Sequence, residues 1–172
     1  MKDGFAVKIA RGNKAMRLII ALVTSMFVGS AHAVPNTDDD LGASSGFWKD
    51  WGITANLMSC RPADGHYACD YSIARQHGLE ASFRSDGAGS EVRSFVVTTQ
   101  GADDLAFLMT AATAIKAIAP ALGPEEREAL VKELFRAAMS EGSAEKSGSG
   151  WSVRIGRIVF GSAWMAEGRV AD

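Results

Sequence analysis

Beyond residue 33, no apolar run approaches the roughly 20 residues that a helix needs to cross a bilayer, so no stable membrane span is expected in that part. Basic residues are also scarce there. The chain has 18 Lys and Arg against 20 Asp and Glu, and five basic and one acidic residue fall within the first 33 positions. That leaves 13 against 19, a net charge of about −6 for the remainder. Nucleic-acid binding needs a basic footprint to neutralise phosphates, so nucleic acid is not an expected partner. There are two cysteines, Cys60 and Cys69, and their spacing is far from the C-x-x-C of a redox centre. No phosphate-cradling glycine loop or H-E-x-x-H occurs. On these grounds no catalytic residue, no cofactor and no metal ligand is assigned.

The first 33 residues have the form of a cleavable secretory signal. Lys2, Lys8, Arg11, Lys14 and Arg17 give a basic start, residues 18–29 (LIIALVTSMFVG) are apolar and uncharged, and Ala31-His32-Ala33 supplies small residues for cleavage between Ala33 and Val34. Met16 offers an alternative start with a more compact leader. An uncleaved anchor is the competing reading, but the apolar run is short and ends in Ser30 and His32. Export to the periplasm or the exterior is the expectation.

Residues 34–46 (VPNTDDDLGASSG) read as a flexible acidic lead-in, and the triplet Asp38-Asp39-Asp40 as solvated rather than as a cation site. A single α+β domain is expected over 47–172. From 51 to 99 the apolar period is close to two, with turn signals at Asp64-Gly65, at 76–78 and at 85–89, which predicts a four-stranded antiparallel meander. The period then becomes helical. Asp103 or Asp104 caps a first helix with Leu105, Leu108, Ala112, Ile115 and Ile118 on one face, ending by Pro120. Gly123-Pro124-Glu125-Glu126 opens a second, antiparallel to the first, with Leu130, Val131, Leu134, Phe135, Ala138 and Met139 as its apolar positions. Residues 141–150 read as a flexible linker. Trp151, Val153 and Ile155, then Ile158, Phe160, Ser162 and Trp164, predict a closing hairpin around Gly156. Both helices are expected on one face of the sheet.

The cysteines fit one register. If Asp64-Gly65 is a two-residue turn, Ala63 faces His66, Pro62 faces Tyr67, Arg61 faces Ala68 and Cys60 faces Cys69. The bonding alternation puts Pro62 and Cys60 in non-hydrogen-bonded pairs. Proline then sits where its missing N–H is not needed, and the sulfurs face each other at disulfide distance. A Cys60–Cys69 disulfide is expected.

Other constellations carry less. Cys60, His66, Cys69 and His77 are ligand types for zinc but match no common spacing. Ser143-Ala144-Glu145-Lys146 matches S-x-x-K, and Lys146-Ser147-Gly148 resembles its K-[ST]-G companion, but the two would have to share one lysine. Trp48, Trp51, Trp151 and Trp164 read as core, with an aromatic binding patch as the alternative. Arg154 and Arg157 flank the expected hairpin tip, where they could meet an anion. The expected function is that of a non-enzymatic exported protein, a binding, inhibitory or envelope-associated factor with an unknown protein, glycan or lipid ligand. The alternative is a small hydrolase of cell-wall or extracellular substrates, centred on His66 or His77.

Overall fold

The computed structural model describes residues 34–37, 40–42, 45–101, 103–158 and 163–171. The expected leader with Ala33, the carboxylates of Asp38 and Asp39, and the positions of Phe160 and Ser162 lie outside the described residues.

A 3₁₀ helix over Gly46–Trp51 precedes strands β1 (Ala55–Ala63), β2 (His66–Ile73), β3 (Leu79–Ser85) and β4 (Val92–Thr99). Helices α1 (Asp104–Ile115) and α2 (Pro124–Glu141) follow, then strands β5 (Ser143–Gly148), β6 (Trp151–Arg157) and β7 (Trp164–Val170). The strands form one antiparallel sheet in the order β1-β2-β3-β4-β7-β6-β5. The class is α+β, as the switch of periodicity predicts. The first four strands pair in chain order, but the last strand, not the fifth, docks against β4.

Strand alternation sorts the sheet into two faces. On β3, Leu79, Ala81, Phe83 and Ser85 are buried while Glu80 and Arg84 are exposed. The buried set meets the helices and the 3₁₀ turn in one core that includes Trp48, Tyr71, Phe83, Phe95, Phe107 and Ile155. Pairs of aromatic rings meet edge-on within it, Trp48 against Phe83 at 5.6 Å among them, a geometry favoured by ring quadrupoles. The opposite face carries mostly polar side chains and has no helix on it among the described residues.

Local chemistry accounts for the element ends. Asp64 and Gly65 both have positive φ, 40° and 82°, as a tight hairpin turn of this type requires. Asp103 accepts a 2.9 Å hydrogen bond from the Leu105 N–H and so caps α1. At α2, Pro124 occupies the first turn and Glu126 accepts from the Gly123 N–H at 2.7 Å. Gly142 closes α2 with φ 83°, a conformation that glycine adopts without steric cost.

Several expectations need correction. Residues 141–150 are not a linker: Ser143–Gly148 is a strand, paired with β6 from Ser143↔Gly156 to Gly148↔Trp151. β6 accordingly runs straight through Gly156, and the hairpin tip lies further on. Of the expected face of α1, Ala112 and Ile115 are buried and Leu108 packs against the core, but Leu105 is 59 % exposed, and the buried surface extends round to Phe107, Ala111 and Ala114. The helix also stops at Ile115, and Ile118 is buried from the turn beyond it. Met139 of α2 is exposed rather than on its inner face. The lead-in is anchored where it is described. Leu41 is buried in the core and its carbonyl accepts from Trp48 Nε1 at 3.0 Å. Val92 donates to the Pro35 carbonyl and Thr37 to that of Ser90, so backbone pairing, which composition does not reveal, holds this segment against the start of β4.

Candidate functional site

On the open face, the register brings side chains from five strands together. One cross-strand row reads Arg84 (β3), Ser94 (β4), Arg169 (β7) and Ser152 (β6). The next reads Val96 (β4), Glu167 (β7), Arg154 (β6) and Glu145 (β5). Together they line a shallow cavity of about 350 Å³. Three guanidinium groups meet two carboxylates there. Arg169 Nε donates to Ser152 Oγ at 3.3 Å. Arg154 lies 3.6 Å from Glu167, an ion pair too long for a good hydrogen bond. Arg84 forms no ion pair or hydrogen bond with any described residue. A planar guanidinium with free N–H groups suits carboxylate, phosphate or sulfate oxygens, and Ser94 adds a hydroxyl beside it.

A second polar cluster on this face is internally satisfied. Asp70 accepts from Ser59 at 3.0 Å and from Ser82, and pairs with Arg61 at 3.1 Å. Burial raises its pKa, but those hydrogen bonds and the Arg61 charge outweigh it and hold the carboxyl below its ordinary value. It stays ionised and bound, which suits an anchor better than a proton carrier. On the helix side, Asp50 accepts from Lys116 at 3.0 Å and from the buried Arg127 at 3.1 Å, joining the 3₁₀ turn to both helices.

The residues singled out by sequence fall as follows. Cys60 and Cys69 form the expected disulfide, with a Cα–Cα separation of 4.1 Å and the predicted pairing from Ala63↔His66 onward. It lies on the helix-facing side. His66 begins β2 and His77 lies in the turn beyond its end, so a whole strand separates them. Neither bonds to a hydroxyl or carboxylate among the described residues. Ser143 and Lys146 sit three apart on β5, which puts them on opposite faces, and Lys146 pairs with Glu133 at 2.7 Å. No group of three or more His, Cys, Asp or Glu able to hold a metal occurs among the described residues. Arg154 and Arg157 are not at a hairpin tip. They point to opposite faces of β6, and Arg157 lies over the Trp164 ring at 4.9 Å. The tryptophans do not form one cluster: Trp48 packs with Phe47, Tyr71 and Phe83, while Trp164 packs on Phe135 at 4.5 Å.

Comparison with protein-family models, with curated proteins and with solved structures finds no match to this chain. Among the described residues, no helix is long and apolar enough to cross a membrane. The disulfide is compatible with an extracytoplasmic setting.

Proposed function

We propose that the chain is exported and that its folded part is a non-catalytic binding protein taking an anionic ligand on the open face of the sheet. The observation that carries this reading is Arg84, a guanidinium without an acidic partner among the described residues, set in register beside Arg169 and Ser94 and one row from Arg154. Folding has placed three cations from three strands around one cavity and left two of them, Arg84 and Arg169, without a carboxylate partner among the described residues, on a chain with an acidic excess elsewhere. The form of the leader and the disulfide support the exported setting. The ligand class is a phosphate, sulfate or carboxylate group borne by an envelope or extracellular partner.

The test uses two probes, a sulfated oligosaccharide and vesicles containing phosphatidylglycerol, titrated at low and at physiological salt. Binding to either, weakened by added salt and at least tenfold by Arg84→Ala with Arg169→Ala, is the expected result. Failure of both probes to bind the folded protein at low salt, or binding that the double variant leaves unchanged, overturns it.

A further inference from the structure

A second cavity, of about 480 Å³, opens at the other layer of the molecule, between the β1–β2 end of the sheet and α1. Its apolar wall comes from Trp51, Ile53, Ile73, Ala106 and Met109. Its volume lies within the range of about 300–1,000 Å³ found for small-molecule sites. Two features set it apart from a packing defect. Nε1 of Trp51 is buried and donates to no acceptor among the described residues, a state that folded proteins mostly avoid because a buried unpaired donor has given up its water. At the rim, Arg75 holds φ at 65°, a left-handed conformation that is unusual for a residue other than glycine. Its guanidinium is exposed and forms no ion pair or hydrogen bond with a described residue. Strained, uncompensated residues gather at binding sites more than in plain turns.

We infer that this cavity binds a small apolar molecule ending in a carboxylate, with its hydrocarbon body against Ile53, Ile73, Ala106 and Met109 and its carboxylate at Arg75. Thr54, Gln76 and Thr110 also line the cavity, but its apolar wall favours an occupant with hydrocarbon to bury over a free inorganic anion, which has none. The free cation at the mouth selects an acid over a neutral chain of equal length. The unpaired indole N–H supplies a donor for an oxygen that enters. This site is separate from the arginine cavity on the opposite face and stands or falls without it.

The test uses protein recovered from the envelope fraction of cells expressing the full chain, titrated calorimetrically with dodecanoate and with 1-dodecanol below their aggregation limits. Saturable dodecanoate binding is expected, with the alcohol at least tenfold weaker. Arg75→Gln should weaken the acid at least tenfold and leave the alcohol unchanged. Ala106→Trp, which fills the cavity, should abolish binding of both while the melting temperature shows that the fold persists. Should that variant not fold, the acid-to-alcohol ratio and its collapse in Arg75→Gln decide the matter alone. No saturable binding of dodecanoate, equal affinity for acid and alcohol, or binding indifferent to Arg75→Gln would overturn the inference.

Discussion

Phe95 lies against Gly168 so closely that a Cβ at position 168 would stand 2.4 Å from Cε1 of its ring. The two residues face each other across the β4–β7 pair, the junction that joins the first four strands to the last three. Ile118 Cδ1 would stand only 2.7 Å from the same added atom. Both neighbours are buried, so neither can swing into solvent. Gly168→Ala should therefore destabilise the fold by about 1–3 kcal/mol through overpacking. Denaturant unfolding would check this, with a lower midpoint expected for the variant and partial recovery when Phe95→Leu is added.

The Cys60–Cys69 bridge closes a short loop, with a sequence separation of 9. Chain-entropy reasoning gives such a loop somewhat under ~3 kcal/mol. Its two strands are already held by a tight turn and a full ladder, so the bridge pins one hairpin rather than the domain. Thiol titration of the denatured, unreduced protein should find no free thiol. The double variant Cys60→Ala with Cys69→Ala should still fold, with its unfolding free energy lower by no more than that amount. A variant that failed to fold at all would contradict this account.

Asp50 gives the fold a pH dependence. Burial raises its pKa, and the hydrogen bonds and charges of Lys116 and Arg127 more than offset this, so the folded value lies below the ordinary 3.8. A carboxyl depressed in the folded state contributes stability above its unfolded pKa and loses it as pH falls through the folded one. Asp50→Asn would leave the buried Arg127 without a counter-charge, and Nη1 of that residue already lacks an acceptor among the described residues. The expected loss at neutral pH is about 3 kcal/mol. That gap should begin to shrink near pH 3.8 and close only as pH falls through the lower folded value, where the wild-type carboxyl becomes protonated as well. Urea midpoints for both proteins from pH 7 downward would show it, and a gap independent of pH would count against the ion pair as its cause.

How much could be read without coordinates follows from what solvent does to each element. Strands β2–β4 have one face in water and one in the core, and their alternation is written in the residues. The hairpin register needed only Asp64-Gly65, Pro62 and the cysteines. β5 was hidden because both its faces are largely solvated: Ser143–Gly148 runs from half-buried to exposed, so SAEKSG has no apolar period to detect. The inner face of α1 is only partly legible because six residues in succession, Thr110 to Ile115, are buried. Small alanine and threonine side chains let the backbone itself pack closely, and position around the helix ceases to correlate with polarity. The arginine cavity was beyond reach for a different reason. Arg84, Arg154 and Arg169 become neighbours only because β7 inserts beside β4, a pairing between segments far apart in the chain that no local pattern encodes.

The free edge of β1 shows the same link between register and behaviour, and leads to a last prediction. In the observed register Pro62 opposes Tyr67 in a non-hydrogen-bonded pair next to the bonded Ala63–His66 pair, so its nitrogen faces away from β2, toward the open edge. An unpaired edge invites addition of a second strand, and proline removes one of the donors that addition would use. A bulge between Leu57 and Ser59 interrupts the ladder on the same strand, which also disfavours a clean second pairing. Leu57 and Met58, both about half-exposed, would otherwise make this edge adhesive. The far edge, β5, is protected differently, being six residues long and carrying Glu145 and Lys146. Pro62→Thr restores the missing N–H and a residue type that strands favour, without touching the core. Sedimentation velocity over a concentration series should show the variant self-associating at lower concentration than the wild type, with the hairpin and its disulfide intact. Identical sedimentation of the two proteins would mean that the bulge alone guards the edge.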